Sequence, residues 1–226
     1  MKNKIKFLGC IAVMAIVFSF AACDSGGGGG GGGDDGNGDG TGSGTGGDNG
    51  GPYSRGDIGP GGGKIFWVSE GGFTVYMVNP EQNYTAHYLE AAPADMPAKL
   101  KWASPGYLST NISGLTNVLL NTPNDFGYGR RNTAYILATD AAAPAAKACN
   151  EYNGGGKNDW FLPTERELYI ISIFEDDVDN FDTLKTGGYW SSTQGNNTLA
   201  WAMNNVGGTS FYNKNSEYAV RAVRAF

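Results

Sequence analysis

Apolar and polar positions divide the chain into three stretches of different character. The first is IAVMAIVFSF, one unbroken apolar run between Lys2, Lys4, Lys6 and the small pair Ala21-Ala22. It is too short to cross a bilayer, which takes ~20 apolar residues, and it reads as a signal peptide over 1–22. The second, residues 24–51, carries no large apolar side chain; it opens with the glycine run Gly26–Gly33. Such a segment cannot offset its chain entropy and is expected to be a solvated tether. Only from residue 52 onward do apolar positions recur in patterns that build a core.

Within 52–226 the pattern predicts individual elements. KIFWV (Lys64–Val68) and FTVYMV (Phe73–Val78), separated by Ser-Glu-Gly-Gly, predict a hairpin. Residues 79–130, dense in Pro, Gly, Asn and Ser, predict long ordered loops. The alanine-rich stretch Thr133–Tyr152 predicts a helix disturbed at Pro144. A second helix is marked by Pro163, by the capping pair Thr164 and Glu167, and by the apolar face Leu168, Ile171 and Phe174. Gly187-Gly188 breaks that pattern, and Tyr189–Phe226 reads as several short strands. Two helices among many strands make the fold α+β. The expected organisation is a signal peptide (1–22), a Gly-rich tether (23–51) and one domain (52–226).

Charge and cysteine usage narrow the setting. Ala21-Ala22-Cys23 resembles the lipobox of bacterial lipoproteins, with Phe20 where Leu is usual. The resemblance implies that Cys23 becomes an acylated first residue, and that the protein is a lipoprotein of the outer membrane or cell surface. Two or more acyl chains give durable anchorage. Losing Lys2, Lys4 and Lys6 takes the formal charge from −6 to −9, which argues against nucleic acid as a partner. After Cys23 only Cys149 remains, so no disulfide joins two residues of the domain. The flexible tether would hold the domain on the order of 30 Å from its anchor.

Candidate chemistry is sparse. GPGGGK (Gly59–Lys64) has the glycines of a phosphate loop, but Ile65 stands where a metal-binding hydroxyl belongs and a strand follows. NGGGKND (Asn153–Asp159) fails likewise. His87 is the single histidine, which excludes Ser-His-Asp and multi-histidine metal sites, and it reads as a structural hydrogen-bonding group. Cys149, in AAKACNEY, reads as an inert buried thiol. The run from Asp35 has Gly46 where a calcium loop needs its bidentate Glu. Glu175, Asp176, Asp177, Asp179 and Asp182 form an acidic cluster whose ordinary role is a solvated loop, with calcium as the alternative. No catalytic residue, cofactor or metal is nominated, and the expectation is a binding protein rather than an enzyme.

The motifs GGGKNDWFLPTERELYII (154–171), YWSS (189–192), AW (200–201) and VRAVRAF (220–226) occur together in order, with DIGPGGGKIFWV and YLEAAPADMP upstream. Together they resemble the bacterial C-type-lectin-like domains related to the C-terminal domain of the Legionella collagen-like protein. The resemblance spans nearly all of 56–226. It implies a C-type lectin fold of the formylglycine-generating-enzyme type, two helices around a twisted antiparallel sheet. The cysteine pair of those enzymes is missing, and Trp201 is followed by Ala-Met-Asn rather than the Asn-Asp of calcium-dependent sugar binders.

YWSS…AW…VRAVRAF with scattered asparagines between is also similar to the treponeme variable proteins, targets of diversity-generating retroelements. In those proteins adenines are replaced at random, mostly in asparagine codons. Varying both adenines of AAC or AAT reaches every residue type except Lys, Gln, Glu, Met and Trp. That resemblance implies a variable, ligand-binding set: Gly195, Asn196, Asn197, Thr198, Leu199, Ala202, Asn204, Asn205, Val206, Thr209, Phe211, Tyr212, Asn213, Ser216, Tyr218 and Ala219. Trp190, Gln194, Trp201, Met203, Lys214 and Glu217 cannot be reached and are expected to stay fixed, with Trp190 and Trp201 pinning the scaffold from beneath. The expected partner is a protein or cell-surface ligand, met by a monomer through its outward side chains. Three alternatives stay open: a fixed adhesin for sulfated polysaccharide, which requires Arg130, Arg131, Arg221 and Arg224 to cluster; a formylglycine-generating-type enzyme; and a structural envelope protein.

Overall fold

The computed structural model describes residues 53–115, 127–174, 178, 187–204 and 208–226. The signal segment, Cys23, the tether, Asn205, Val206 and the acidic residues Glu175, Asp176, Asp177, Asp179 and Asp182 lie outside the described residues. The described part is α+β, with three helices and antiparallel sheets.

The first sheet runs in the order β1 (Lys64–Val75), β2 (Tyr84–Ala91), β8 (Val223–Ala225). The expected hairpin between 64–68 and 73–78 does not form. The first run and the Phe73–Val75 part of the second belong to β1 and pair with the same partner: Val68 lies opposite Tyr88 and Phe73 opposite Ala86. Ser69–Gly72 is accommodated as a bulge, with Gly72 at φ 73°, so the two glycines kink the strand instead of reversing it. β2 occupies part of the region expected to be loop. YTAHYLEA mixes strand formers with His, Glu and Ala; it pairs with β1 along its whole length and with β8 over Leu89–Ala91. At the far end of this sheet the Tyr53 ring meets Tyr88 (5.4 Å) and Phe226 (5.7 Å) edge-on. The Phe226 carbonyl accepts the amides of His87 and Tyr88 at 2.8 and 2.9 Å.

The helices follow local signals more closely. The stretch expected as one helix over 133–152 is two: α1 (Tyr128–Thr139) and α2 (Pro144–Glu151). Pro144 starts the second helix at a position where its missing N–H costs nothing. Asp140 ends the first, its carboxylate accepting from the Ser104 amide and hydroxyl, both at 2.8 Å. α3 (Glu165–Ile173) carries the expected capping box, with Thr164 N–H donating to Glu167 Oε2 at 2.7 Å and Glu167 N–H to Thr164 Oγ1 at 3.2 Å. The other Glu167 oxygen accepts from the Gly127 amide at 2.9 Å, at the start of α1. Burial pushes the Glu167 carboxyl up to about 7, against the pull of those amides.

The second sheet, β4 (Gly188–Gln194), β5 (Leu199–Asn204), β6 (Thr209–Asn213), separates two apolar clusters. Consecutive residues of β4 point to opposite faces: Tyr189 joins Phe66, Leu89, Leu168 and Met203 in one cluster, and Trp190 joins Trp102, Ile136, Trp160 and Val220 in the other. A two-stranded ribbon, β3 (Leu100–Lys101) with β7 (Glu217–Tyr218), flanks them. The buried tryptophans satisfy their indole N–H groups on distant carbonyls, Trp102 on Ser191 and Trp190 on Leu100, both at 2.8 Å.

Candidate binding surface on the β5–β6 hairpin

The described members of the expected ligand-binding set fall on β5, β6, β7 and the residues flanking them. Cross-strand register places Leu199 opposite Asn213, Trp201 opposite Phe211 and Met203 opposite Thr209 on one face. Ala200 with Tyr212 and Ala202 with Ser210 take the other face. Because side chains alternate along a strand, the expected set is divided between two faces instead of gathered on one. Asn196, Asn197, Phe211 and Asn213 are exposed; Gly195, Thr198, Leu199, Asn204, Thr209, Tyr212, Ser216 and Tyr218 are half-buried.

Three corrections follow. Ala202 is 0% and Ala219 4% exposed, both packed in the core, so neither presents a side chain to a ligand. Trp201 is half-buried rather than pinned beneath the sheet. It shares a face with Met203, which the core around Leu168 and Ile171 covers, while its own ring is met by Phe211 at 4.0 Å. Several asparagines shape turns as well as the surface. Asn196 Oδ1 accepts the amides of Thr198 and Leu199, each at 2.9 Å. Asn204 Oδ1 takes Gly208 N–H at 3.0 Å, and Asn213 Oδ1 takes Asn215 N–H at 2.9 Å. Part of the asparagine richness is therefore turn chemistry.

The residues expected to be fixed include the fasteners of this surface. Trp190, Gln194, Met203 and Lys214 are buried, Trp201 is half-buried and Glu217 exposed. Lys214 Nζ donates to the Thr110 carbonyl at 2.7 Å and to Gln194 Oε1 at 2.8 Å, and lies 4.6 Å from the Trp102 ring centroid. Gln194 holds the same loop, accepting Ile112 N–H at 3.0 Å and donating to Asn111 Oδ1 at 2.6 Å. Burial lowers the Lys214 ammonium to about 8. The loop 110–112 is thus clamped to the hairpin, a role that no local pattern in SPGYLSTNIS announced.

The remaining candidates are also placed. The glycine loop before β1 does hold an anion, but the chain's own: Gly61 and Gly63 amides donate to Glu90 at 3.0 and 2.7 Å. Arg224 donates to Glu90 at 3.0 Å and, through Nε and Nη2, to Asp159 at 2.8 and 3.0 Å. A side chain at Gly63 would collide with the Ala91 carbonyl. Arg221 is buried too, paired with Asp95 at 2.6 Å. The arginine cluster that polysaccharide binding requires therefore loses both C-terminal members to internal ion pairs. Arg130 and Arg131 line a cleft of about 250 Å³ with Gln82, Asn150 and Asn158, and Asp159, which Arg224 neutralises, also lines it. The His87 ring is exposed, with Nδ1 3.0 Å from the Ser69 carbonyl. Cys149 is fully buried, and desolvation raises its thiol far above the ordinary range. No group of three or more His, Cys, Asp or Glu is arranged to hold a metal among the described residues.

The Lcl C-terminal domain family matches residues 93–224, a span that takes in all three helices, β3 and almost all of β4–β8. The chain belongs to that family. A fimbrial protein from Bacteroides ovatus, solved by crystallography, is similar at 16% identity and a TM-score of 0.44, over 73% of this chain and 44% of that one. The chain thus spans less than half the length of that structure. No curated protein matches it.

Proposed function

We propose that the protein is a surface-anchored lipoprotein whose domain, a C-type lectin fold of the formylglycine-generating-enzyme type, displays a ligand-binding surface on the β5–β6 hairpin. The surface is diversified by retroelement mutagenesis, and binding, not catalysis, is its work. The observation that carries this reading is a correspondence between code and burial. Among the described residues of 195–213, every exposed one apart from Gly208 and Ser210 belongs to the expected variable set, and both of those are themselves reachable from an asparagine codon. Four of the six unreachable residues, Trp190, Gln194, Met203 and Lys214, are buried fasteners. A hairpin held in this way can change its outward groups without losing its frame. The ligand is a protein or cell-surface structure.

Sequencing the DNA beside the gene tests diversification. A near-copy of the 3′ coding end that differs mainly at adenines, next to a reverse-transcriptase gene, is expected; a locus with neither sinks that part. Binding is tested separately with Asn197→Ala and Phe211→Ser: the domain should stay folded, with a melting temperature within a few degrees of the parent's, and lose its ligand.

A further inference from the structure

The first turn of α3 holds a carboxylate without an ion pair. Glu165 is 2% exposed, and neither of its oxygens makes a hydrogen bond of good geometry, although the Thr209 hydroxyl is close enough to influence it. Its backbone is fixed, because its N–H donates to Thr193 Oγ1 on β4 at 3.0 Å. Buried charge without a partner is costly, and folded proteins keep it where a ligand or a reaction uses it. Desolvation raises the carboxyl above its ordinary value, while the hydroxyl of Thr209 and the charge of Arg166 favour the ionised form.

Thr209 connects this carboxylate to the hairpin. It stands on the face of β6 that also carries Phe211, and Phe211 packs on Trp201 across the strands. Phe211 is 44% exposed, and its ring lies over Gly195, where a β-carbon would collide with it. The face therefore offers two aromatic rings at its open part, with a buried carboxylate lying behind Thr209. Aromatic faces and a carboxylate share one preference, a cation on an apolar stem. The chain's formal charge of −6 adds long-range attraction of the same sign.

We infer that this face binds a partner protein through an arginine or lysine side chain, whose charged head pairs with Glu165 at Thr209 while its stem lies on Trp201 and Phe211. The inference rests on the hairpin being the ligand-binding surface, and it adds the chemistry of the ligand. Glu165 lies outside the variable segment, so it supplies a constant cation-binding point, and its changeable neighbours Thr209 and Phe211 select among basic partners.

The probe is a phage-displayed library of random dodecapeptides selected on the full chain. Recovered binders should carry Arg or Lys at one shared position, and binding should weaken at least tenfold in Glu165→Gln and in Trp201→Ala. The exposed control Glu151→Gln should bind as the parent does. Because Glu165→Gln removes an unpartnered charge, it should melt no lower than the parent. Thr209→Lys provides a second route that leaves Glu165 in place: a lysine there supplies the cation in cis, and should abolish binding while raising the melting temperature. Binders lost on Trp201→Ala but lacking a shared basic residue, or binding unchanged by Glu165→Gln and Thr209→Lys, would overturn the inference and leave the hairpin reading standing. Binders indifferent to Trp201→Ala and Phe211→Ser would overturn both.

Discussion

Lys214 donates its ammonium to Gln194 Oε1 at 2.8 Å, and no carboxylate among the described residues pairs with either. A buried cation is thus held by a carbonyl, an amide oxygen and the face of Trp102. Such a group is neutralised more easily than in water, and Lys214 is lowered to about 8 from its ordinary 10.5. Between these values the unfolded chain binds more protons than the folded one, so the Lys214 contribution to stability rises with pH through that window. Denaturant melts of parent and Lys214→Met at pH 7 and pH 10 should show the parent gaining relative to the variant, by up to the order of 3 kcal/mol. At pH 7 the variant should be less stable by about 1–3 kcal/mol, because the Thr110 carbonyl loses its donor.

Glu167 closes two helices at once, through Thr164 N–H and Gly127 N–H. Glu167→Ala should cost about 2–4 kcal/mol, since two buried amides lose their acceptor. Thr164→Ala, which removes only one capping bond, should cost about 1 kcal/mol. Hydrogen exchange resolves the difference: the alanine at 167 exposes amides at the start of α1 as well as α3, the alanine at 164 those of α3 alone.

Arg224 sits between two carboxylates and is almost fully enclosed. Arg224→Ala leaves Glu90 buried with only the Gly61 and Gly63 amides, and should destabilise by about 3–5 kcal/mol. Raising salt from 0.05 to 0.5 M (about a threefold change in screening length) should alter the parent's melting temperature little, because enclosed pairs are poorly screened. A large salt-dependent loss would mean that the pair is solvated.

Positions on the two faces of the hairpin should respond to very different extents. Phe211→Ser removes a half-exposed ring and should cost about 1 kcal/mol or less. Ala202→Phe forces a ring against Trp190, its cross-strand neighbour, and should cost about 1–3 kcal/mol or prevent folding. Asn196→Ala removes an acceptor that two amides share, and should lower the melting temperature more than Asn197→Ala. Thermal melts of the four variants check the order.

How much of this was legible depended on where each residue's environment is made. The Thr164–Glu167 cap is local and was read directly. β2 has no local signature: Tyr84–Ala91 is a strand through pairing with Lys64–Val75 and, over Leu89–Ala91, with Val223–Ala225 at the other end of the chain. Ser69–Gly72 has a turn composition but bulges, since the second apolar run finds the same partner strand as the first. Gln194, Met203 and Lys214, expected to be fixed, are buried, whereas Ala202 and Ala219, expected at the surface, are buried too, because a small side chain suits the core as well as a surface. Glu165 was invisible, because Thr193 and Thr209, from two strands, create its surroundings.

β8 is the last strand, and it completes the sheet that β1 and β2 begin. Translation must therefore pass through the whole hairpin before the first sheet can close. A message frameshifted or halted within 195–219 yields a chain lacking Val223–Ala225 and the guanidinium that neutralises Glu90. Such a product leaves the edge of Leu89–Ala91 unpaired and Glu90 without its arginine, which ties closure of the first sheet to an intact hairpin-coding region.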